Sequence, residues 1–246
     1  MELGLLGAQL THSFSKAYFE ENVAKAFNCS IRYHLIEREN LTDFRENLMQ
    51  SYPDLKGFNV TIPYKKAIFA FLDEIDEGAE MAEAVNTVVI QNNGRWKGYN
   101  TDVDGFLSGL RNFLPSQKPL KTAIFGTGGA AGAVKAGLTQ WGFPFVEVSR
   151  SPLAHQWSYA QLSSHLPEVN LLINTTPVGM HGFAAQDLPF DHSGLNAGHF
   201  CYDLIYNPAL TPFLQKAQSQ KAKIKNGLEM LYEQANSAWE IWRKAT

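Results

Sequence analysis

Short apolar runs rich in valine, isoleucine and leucine alternate along the chain with longer stretches of helical period. This is the pattern of βαβ units and a largely parallel sheet. In the first half, strands are predicted over 3–6, 32–36, 57–60 and 85–90, and helices over 15–27 and 41–50, with a shorter helix expected after Pro63. The series restarts after Lys121, with strands predicted near 122–125, 145–148, 171–174 and 200–204 and a helix over 130–141. Between the two series, NFLPSQKPLK at 112–121 has the proline and polar content of a linker. Leu228, Leu231, Ala235, Ala238 and Trp242 recur at helical spacing and predict a last helix that packs back on the first domain. The expected class is α/β in two domains, residues 1–102 completed by the helix over 228–246, and residues 103–227.

A length of 246 residues is enough for two modest domains, each with its own core. A formal net charge of -3 and a pI near 6.2 argue against general nucleic-acid or membrane-surface binding, which calls for a basic face, and favour small-molecule partners. Cys29 and Cys201 stand far apart in no metal-ligand spacing, so reduced thiols with core roles are expected, and no metal. The start, MELGLLGAQL, carries Glu2 where a signal peptide would carry positive charge, and no apolar run approaches a membrane span. The expected compartment is the cytoplasm, and the expected assembly a monomer or homodimer.

Candidate chemistry appears first in TAIFGTGGAAGA, where an apolar strand runs directly into Gly126-x-Gly128-x-x-Ala131 and then a helix. Glycines there allow a tight turn and close approach of backbone to a pyrophosphate, and a helix amino end supplies N–H groups to the anion. Such turns also serve merely to pack strand against helix, but the position between a good strand and a good helix favours a Rossmann-type dinucleotide site. The next strand, FVEVSRS, ends in Ser149, Arg150 and Ser151 without the carboxylate that grips a ribose diol in NAD sites. A guanidinium and two hydroxyls suit a 2′-phosphate, so NADP is the expected cofactor. Glu147 is the rival, although period-two alternation with Val146 and Val148 makes it equally a mid-strand residue of the other face.

In NVTIPYKK, Asn59 and Thr61 project to one side at a strand's carboxyl end, where ligands of open α/β sheets sit. Pro63 in the first turn of a helix would place Lys65 near the same mouth, where a helix amino end disfavours the ammonium form and tunes it for proton transfer. Solvated lysines are the plainer reading of Lys65 and Lys66. HSFSK sets Ser13 and Ser15 two apart, with Ser15 equally a plain helix cap. AVNTVV interrupts an apolar strand with Asn86 and Thr87, by itself no more than a bulge. GYNTDVDGF places Asp102 at a helix start, where an acid is favourable through the dipole.

Taken together the chain resembles the shikimate dehydrogenases along nearly its whole length. The likeness is carried by H-S-x-S, N-V-T-x-P-x-K at 59–65, A-x-N-T at 84–87 and G-x-N-T-D at 98–102. It continues through G-x-G-G-x-x-x-A at 126–133, I-N-T-T-P-x-G-M at 173–180, D-L-x-Y-x-P-x-x-T at 203–211 and M-L-x-x-Q-A at 230–235. The resemblance implies reversible NADP-dependent reduction of 3-dehydroshikimate to shikimate, with an N-terminal substrate domain facing a Rossmann-type domain across a cleft. It implies Lys65 and Asp102 as the catalytic pair, and Ser13, Ser15, Asn59, Thr61, Asn86, Tyr206 and Gln234 around the substrate. For the cofactor it implies Gly126, Thr127, Gly128, Gly129, Ala130, Ser149, Arg150, Ser151, Thr175 and Gly227. The sequence departs from the pattern in three places. Lys16 follows H-S-x-S where the family has proline, which puts a charge near the expected substrate carboxylate. Pro152, Leu153, Ala154 and His155 stand where a second NADP-binding arginine is usual. Glu229 replaces the glycine common before Met230. Two alternatives remain: a quinate/shikimate dehydrogenase of broader specificity, and a cofactor-binding regulator without turnover.

Overall fold

A computed structural model describes residues 1–10, 14–116, 119–183 and 187–245. Contacts divide the chain into two units, Met1–Thr101 with Ala235–Thr246, and Asp102–Gln234.

The first unit is built around β1 (Glu2–Gly7), whose residues are buried from Leu3 onward. A strand covered on both faces needs apolar residues at successive positions rather than alternate ones. Leu6 joins one core cluster, with Ile36, Phe44, Leu48 and Phe58, while Leu3 and Leu5 join another on the opposite face, with Phe19, Tyr33, Trp239 and Trp242. After β1 come a helical run of α1 (Phe14–Ala17), a π-helical segment (Tyr18–Val23) and α2 (Ala24–Ala26), then β2 (Arg32–Glu37), α3 (Phe44–Ser51) and β3 (Leu55–Val60). A 3₁₀ turn (Ala67–Phe71), β4 (Glu74–Ile75), α4 (Glu77–Ala82), β5 (Thr87–Ile90) and β6 (Trp96–Tyr99) complete the segment before the second unit. Asp76 caps α4 by accepting from the Gly78 N–H at 3.0 Å.

The six strands order as β2-β1-β3-β5-β6-β4. This sheet is mixed rather than largely parallel, because β5 runs antiparallel to both β3 and β6. One face is closed by the end of the C-terminal helix: the Trp242 indole N–H donates to Val88 O at 2.9 Å, passing directly over Gly57. A Cβ at Gly57 would lie 2.2 Å from the indole nitrogen and 2.5 Å from Val88 O, so this crossing requires glycine.

The second unit contains α5 (Thr101–Phe113, apart from its first residue), β7 (Thr122–Phe125), α6 (Gly129–Gln140), β8 (Phe145–Val148), α7 (Tyr159–His165) and β9 (Leu171–Asn174). It continues through β10 (Phe200–Asp203), α8 (Pro212–Ser219), β11 (Lys223–Lys225) and the first part of α9 (Leu228–Ala245). The strands are all parallel in the order β11-β10-β9-β7-β8, a doubly wound arrangement whose order reverses between β7 and β9. Helix–helix contact is close at Gly137, where a Cβ would meet Phe106 at 2.9 Å, and at Gly105, where it would meet Met230 O at 2.6 Å. On the sheet's other face Ala123, Phe125, Leu172 and Cys201 pack with Leu162, Phe213 and Leu214 from α7 and α8.

The strands predicted over 122–125, 145–148 and 171–174 coincide with β7, β8 and β9. The helix expected after Pro63 is a turn over residues 62–66 followed by the 3₁₀ turn, and the strand predicted over 85–90 begins at Thr87. Cys29 is exposed rather than in the core, whereas Cys201 is buried and its thiol pKa is pushed up by that burial. No helix among the described residues is long and apolar enough to cross a membrane.

Candidate active site

In the first unit, the carboxyl end of β3 and the segment before β5 carry a buried polar cluster. Asn86 is fixed by its backbone on both sides: its N–H donates to Tyr99 O at 3.0 Å and its carbonyl accepts from the Val60 N–H at 2.8 Å. Its side-chain Oδ1 accepts from the Thr101 N–H at 2.8 Å, the Thr87 hydroxyl at 3.1 Å and the Thr101 hydroxyl at 3.2 Å. A backbone N–H can only donate, so the atom it meets must be oxygen and the amide cannot be flipped. The Asn86 Nδ2 has no acceptor among the described residues and is left as a donor with fixed direction. The polar pair in AVNTVV therefore marks the start of β5 rather than a bulge.

Asn59 is placed differently. Its Nδ2 donates to Asn86 O at 3.2 Å and to Thr87 Oγ1 at 3.0 Å, and its Oδ1 accepts from the Tyr33 hydroxyl at 2.7 Å. Both amide protons are used inside the protein, and the residue is buried. Thr61 lies just past β3, its N–H donating to Leu6 O at 2.9 Å. Ser15 sits in α1, where its hydroxyl acts on the buried Tyr33 phenol as a hydrogen-bond partner. Ser13 lies outside the described residues.

Lys65 is half-buried in the turn after Pro63, and its carbonyl accepts from the Val85 N–H at 2.8 Å, which ties the turn to the segment carrying Asn86. No α-helix begins at Pro63, so the helix-end argument for tuning this lysine does not apply. Lys66 points to Glu83 at 3.7 Å on the surface. The charge of Lys16 is bound locally: its ammonium donates to Glu20 Oε1 at 2.9 Å and to Tyr33 O at 2.8 Å. Burial raises the Glu20 carboxyl, but the Tyr33 N–H and the Lys16 ammonium outweigh it and hold the pKa below its ordinary value.

In the second unit, the turn after β7 fits a pyrophosphate by what it lacks. Gly126 has φ +102°, and a Cβ there would meet Thr176 Cγ2 at 2.8 Å and Thr175 Oγ1 at 2.9 Å, so the turn closes against the end of β9 only with glycine. A Cβ at Gly128 or Gly129 would have no heavy atom within 4 Å, which leaves open space over the start of a twelve-residue helix that no side chain caps. Free N–H groups facing open space at the sheet's switch point suit a phosphate. Thr127 is exposed and Ala130 half-buried beside it. Thr175 is engaged by the protein, its N–H and hydroxyl both donating to Phe125 O, at 3.1 and 2.6 Å.

At the end of β8 the Ser149 hydroxyl accepts from the Ser151 N–H at 3.2 Å, and the exposed Arg150 stands near enough to Tyr159 to act on its phenol. Glu147 is buried, paired with Lys135 at 3.0 Å and accepting from Gln156 Nε2 at 3.2 Å, so it belongs to the strand's interior face and takes Lys135 with it. Gly227 is explained by crowding, since a Cβ would fall 1.9 Å from Leu204 O. Tyr206 is exposed in the loop after β10, and Gln234 Nε2 donates to Leu231 O at 2.9 Å. Asp102 stands in the first turn of α5. Glu229 accepts from Asn112 Nδ2 at 2.5 Å and pairs with Lys225.

Two groups of residues escaped the sequence reading. Asp203 accepts from Asn174 Nδ2 and the Ile205 N–H at 3.0 Å each and from the Thr211 hydroxyl at 2.6 Å, binding together the ends of β9, β10 and the cap of α8. Burial pushes its carboxyl up to about 6 against those bonds. Tyr33 and Thr101, in the first unit, hold the Asn59 and Asn86 amides. For Asp203 the signal was the matched D-L-x-Y-x-P-x-x-T run; for Tyr33 no local signal existed.

Residues 5–88 match the model of the shikimate dehydrogenase substrate binding domain. A shikimate dehydrogenase (NADP(+)) of Synechococcus sp. (strain JA-3-3Ab) is 38% identical over 259 residues, covering 98% of this chain and 87% of the relative. Among solved structures, shikimate 5-dehydrogenase from Thermus thermophilus in complex with NADP(H) and shikimate superposes with a TM-score of 0.85 at 28% identity, covering 99% of this chain and 94% of that one. Quinate dehydrogenase from Corynebacterium glutamicum in complex with NAD does so with a TM-score of 0.88, also at 28% identity and with coverage of 99% and 94%.

Proposed function

The chain belongs to the shikimate dehydrogenase family, and we propose that it catalyses the reversible NADP-dependent reduction of 3-dehydroshikimate to shikimate, a step of aromatic amino acid biosynthesis. The observation that carries this reading is the amide of Asn86, whose oxygen is held by three hydrogen bonds so that its Nδ2 is offered in a fixed direction to a polyhydroxylated ligand.

In this reading residues 1–102 with 228–246 bind substrate and residues 103–227 bind NADP. Ser13, Ser15, Thr61, Asn86, Tyr206 and Gln234 receive the carboxylate and hydroxyls, while Asn59 supports them from behind. Lys65 Nζ gives a proton to the substrate oxygen as the ketone becomes an alcohol, with Asp102 as its acidic counterpart. Gly126, Thr127, Gly128, Gly129 and Ala130 cradle the pyrophosphate, Ser149, Arg150 and Ser151 receive the 2′-phosphate, and Thr175 and Gly227 line the remainder. The bound nicotinamide supplies the hydride chemistry. We place the enzyme in the cytoplasm as a monomer or homodimer.

A broader specificity that includes quinate is the second reading, favoured by the fold shared with the NAD-bound quinate dehydrogenase and by the single arginine at the end of β8. Steady-state assays with shikimate and quinate against NADP and NAD test both. The highest kcat/KM is expected for shikimate with NADP. A higher value for quinate would favour the second reading, and no turnover with either substrate would leave a cofactor-binding regulator.

A further inference from the structure

Tyr33 lies in none of the motifs that carry the family likeness, yet the protein holds it from every side. β2 is the edge of its sheet, and the Tyr33 backbone groups on the open edge are taken by one helix: its N–H donates to Glu20 Oε1 at 2.8 Å and its carbonyl accepts from Lys16 Nζ at 2.8 Å. The ring is fully buried and stacks on Phe19 with centroids 5.0 Å apart and planes at 9°. Burial pushes the phenol pKa far up, so the group stays protonated throughout the working range.

That proton is directed. It goes to Asn59 Oδ1 at 2.7 Å, which turns the Asn59 Nδ2 towards Asn86 O and Thr87 Oγ1. Thr87 Oγ1, with a lone pair occupied by that donor, sends its own proton to Asn86 Oδ1 at 3.1 Å. Thr87 Oγ1 also lies 3.2 Å from Thr101 Oγ1, and the Thr101 N–H holds Asn86 Oδ1 at 2.8 Å, so the chain from Tyr33 reinforces a hold that Thr101 begins, and the group left facing outward is Asn86 Nδ2. We propose that Tyr33 is a positioning residue of the reaction, its hydroxyl holding in place, through Asn59 and Thr87 and beside the Thr101 N–H, the direction in which Asn86 offers its amide to the substrate. The proposal rests on the reading of Asn86 as a substrate contact.

The test is Tyr33→Phe, which keeps the ring, its stacking and the grip of Lys16 and Glu20 while deleting one hydroxyl. KM for shikimate is expected to rise about tenfold, with KM for NADP within about twofold of wild type, because one hydrogen bond to a buried oxygen is lost. In the double variant with Asn86→Ala, KM for shikimate should be that of Asn86→Ala alone, since a residue acting through Asn86 has nothing left to position. Phe19→Leu disturbs the stacking but not the hydroxyl; it should lower Tm and leave KM for shikimate unchanged. If Tyr33→Phe does not fold, Thr87→Val breaks the same relay one link later and should give the same split between the two KM values. Asn86→Ala that raises KM while Tyr33→Phe does not, a parallel rise in both KM values, or an additive double variant would each overturn the relay. Asn86→Ala without effect on KM would overturn the substrate reading and the relay with it.

Discussion

The two units present their candidate ligand ends in opposite ways. In Met1–Thr101 with Ala235–Thr246, the end is made of side chains whose hydrogen bonds are already closed among themselves: Tyr33 to Asn59, Asn59 to Thr87, Thr87 and Thr101 to Asn86. In Asp102–Gln234 the end is made by omission, with open space at Gly128 and Gly129 and an uncapped helix start behind them. A neutral, many-donor ligand such as a polyol must be met by specific donors and acceptors, each oriented in advance. A pyrophosphate needs N–H groups and room, and any side chain is an obstacle. The first unit should therefore be sensitive to what is removed, and the second to what is added.

Removal should act most strongly at Lys65. Lys65→Ala deletes the proposed proton donor from a turn whose backbone bond to Val85 remains, so the fold should persist while kcat falls by about 10²- to 10⁴-fold. Near-normal turnover in this variant would remove Lys65 from the mechanism. Addition should act most strongly at Gly128. Its φ of −85° is open to any residue and a Cβ meets nothing in the protein, so Gly128→Val should fold with a small loss of stability. The new side chain would occupy the anion's space and displace at least one charge-assisted contact, which predicts a rise in KM for NADP of about ten- to a hundredfold with KM for shikimate unchanged. If both KM values rose together, the space over Gly128 would not be a cofactor cradle.

The second unit also buries carboxylates, and that of Asp203 is perturbed by its burial. Its pKa rises from the ordinary 3.8 to about 6, because burial outweighs the bonds from Thr211, Ile205 and Asn174. The folded state thus holds the proton more tightly than the unfolded chain. The stability this gives is fully present below about pH 4 and is lost as pH rises through about 6, by roughly 3 kcal/mol over the window. Asp203→Asn abolishes that titration. Urea unfolding at several pH values between the two pKa values and just beyond them should show the stability of wild type relative to the variant falling across the window, and a flat difference would mean that the carboxyl is not perturbed in the fold.

The same contrast explains what could be read from the sequence. β7, β8 and β9 appeared at their observed bounds because a short apolar run ended by glycine, serine or asparagine is a local signal for a strand enclosed between helix layers. The glycine turn was visible for the same reason, since a backbone-built feature is written in consecutive residues. The first unit was legible as motifs but not as wiring. Asn59 and Asn86 look alike in sequence; the phenol of Tyr33, 26 residues before Asn59, orients one amide so that its nitrogen is consumed by Asn86 O and Thr87, while the Thr101 N–H orients the other. Pro63 suggested a helix start, but the chain first makes a turn, pinned by Tyr64 N–H to Thr61 O at 2.9 Å and Lys65 O to Val85, and the second of those partners lies outside any local window. The antiparallel placement of β5 was likewise invisible, because strand direction follows from connections and not from periodicity.

The finest test of the comparison is the end of β8, where the backbone-built cradle gives way to a single charged side chain. Arg150 ends a strand that offers no acid to a ribose diol, since Glu147 is turned inward and held by Lys135 and Gln156. That pairing also removes Lys135 as a substitute for the missing second arginine: its ammonium is committed to a buried carboxylate, and withdrawing it would leave that charge unpaired at a cost larger than an exposed phosphate contact returns. Preference for NADP over NAD should then rest on one guanidinium, whose charge-assisted contact is worth about 1.5–3 kcal/mol, or roughly one to two powers of ten. In Arg150→Ala the ratio of kcat/KM for NADP to that for NAD should fall by that factor, chiefly through KM for NADP, with kcat on shikimate little changed. In Lys135→Met the ratio should stay within about twofold of wild type while stability drops, because the lost partner is Glu147 and not the cofactor. A ratio that moved with Lys135 and stood still with Arg150 would mean that the cation selecting the cofactor sits on the helix after all, and that the end of β8 is only a turn.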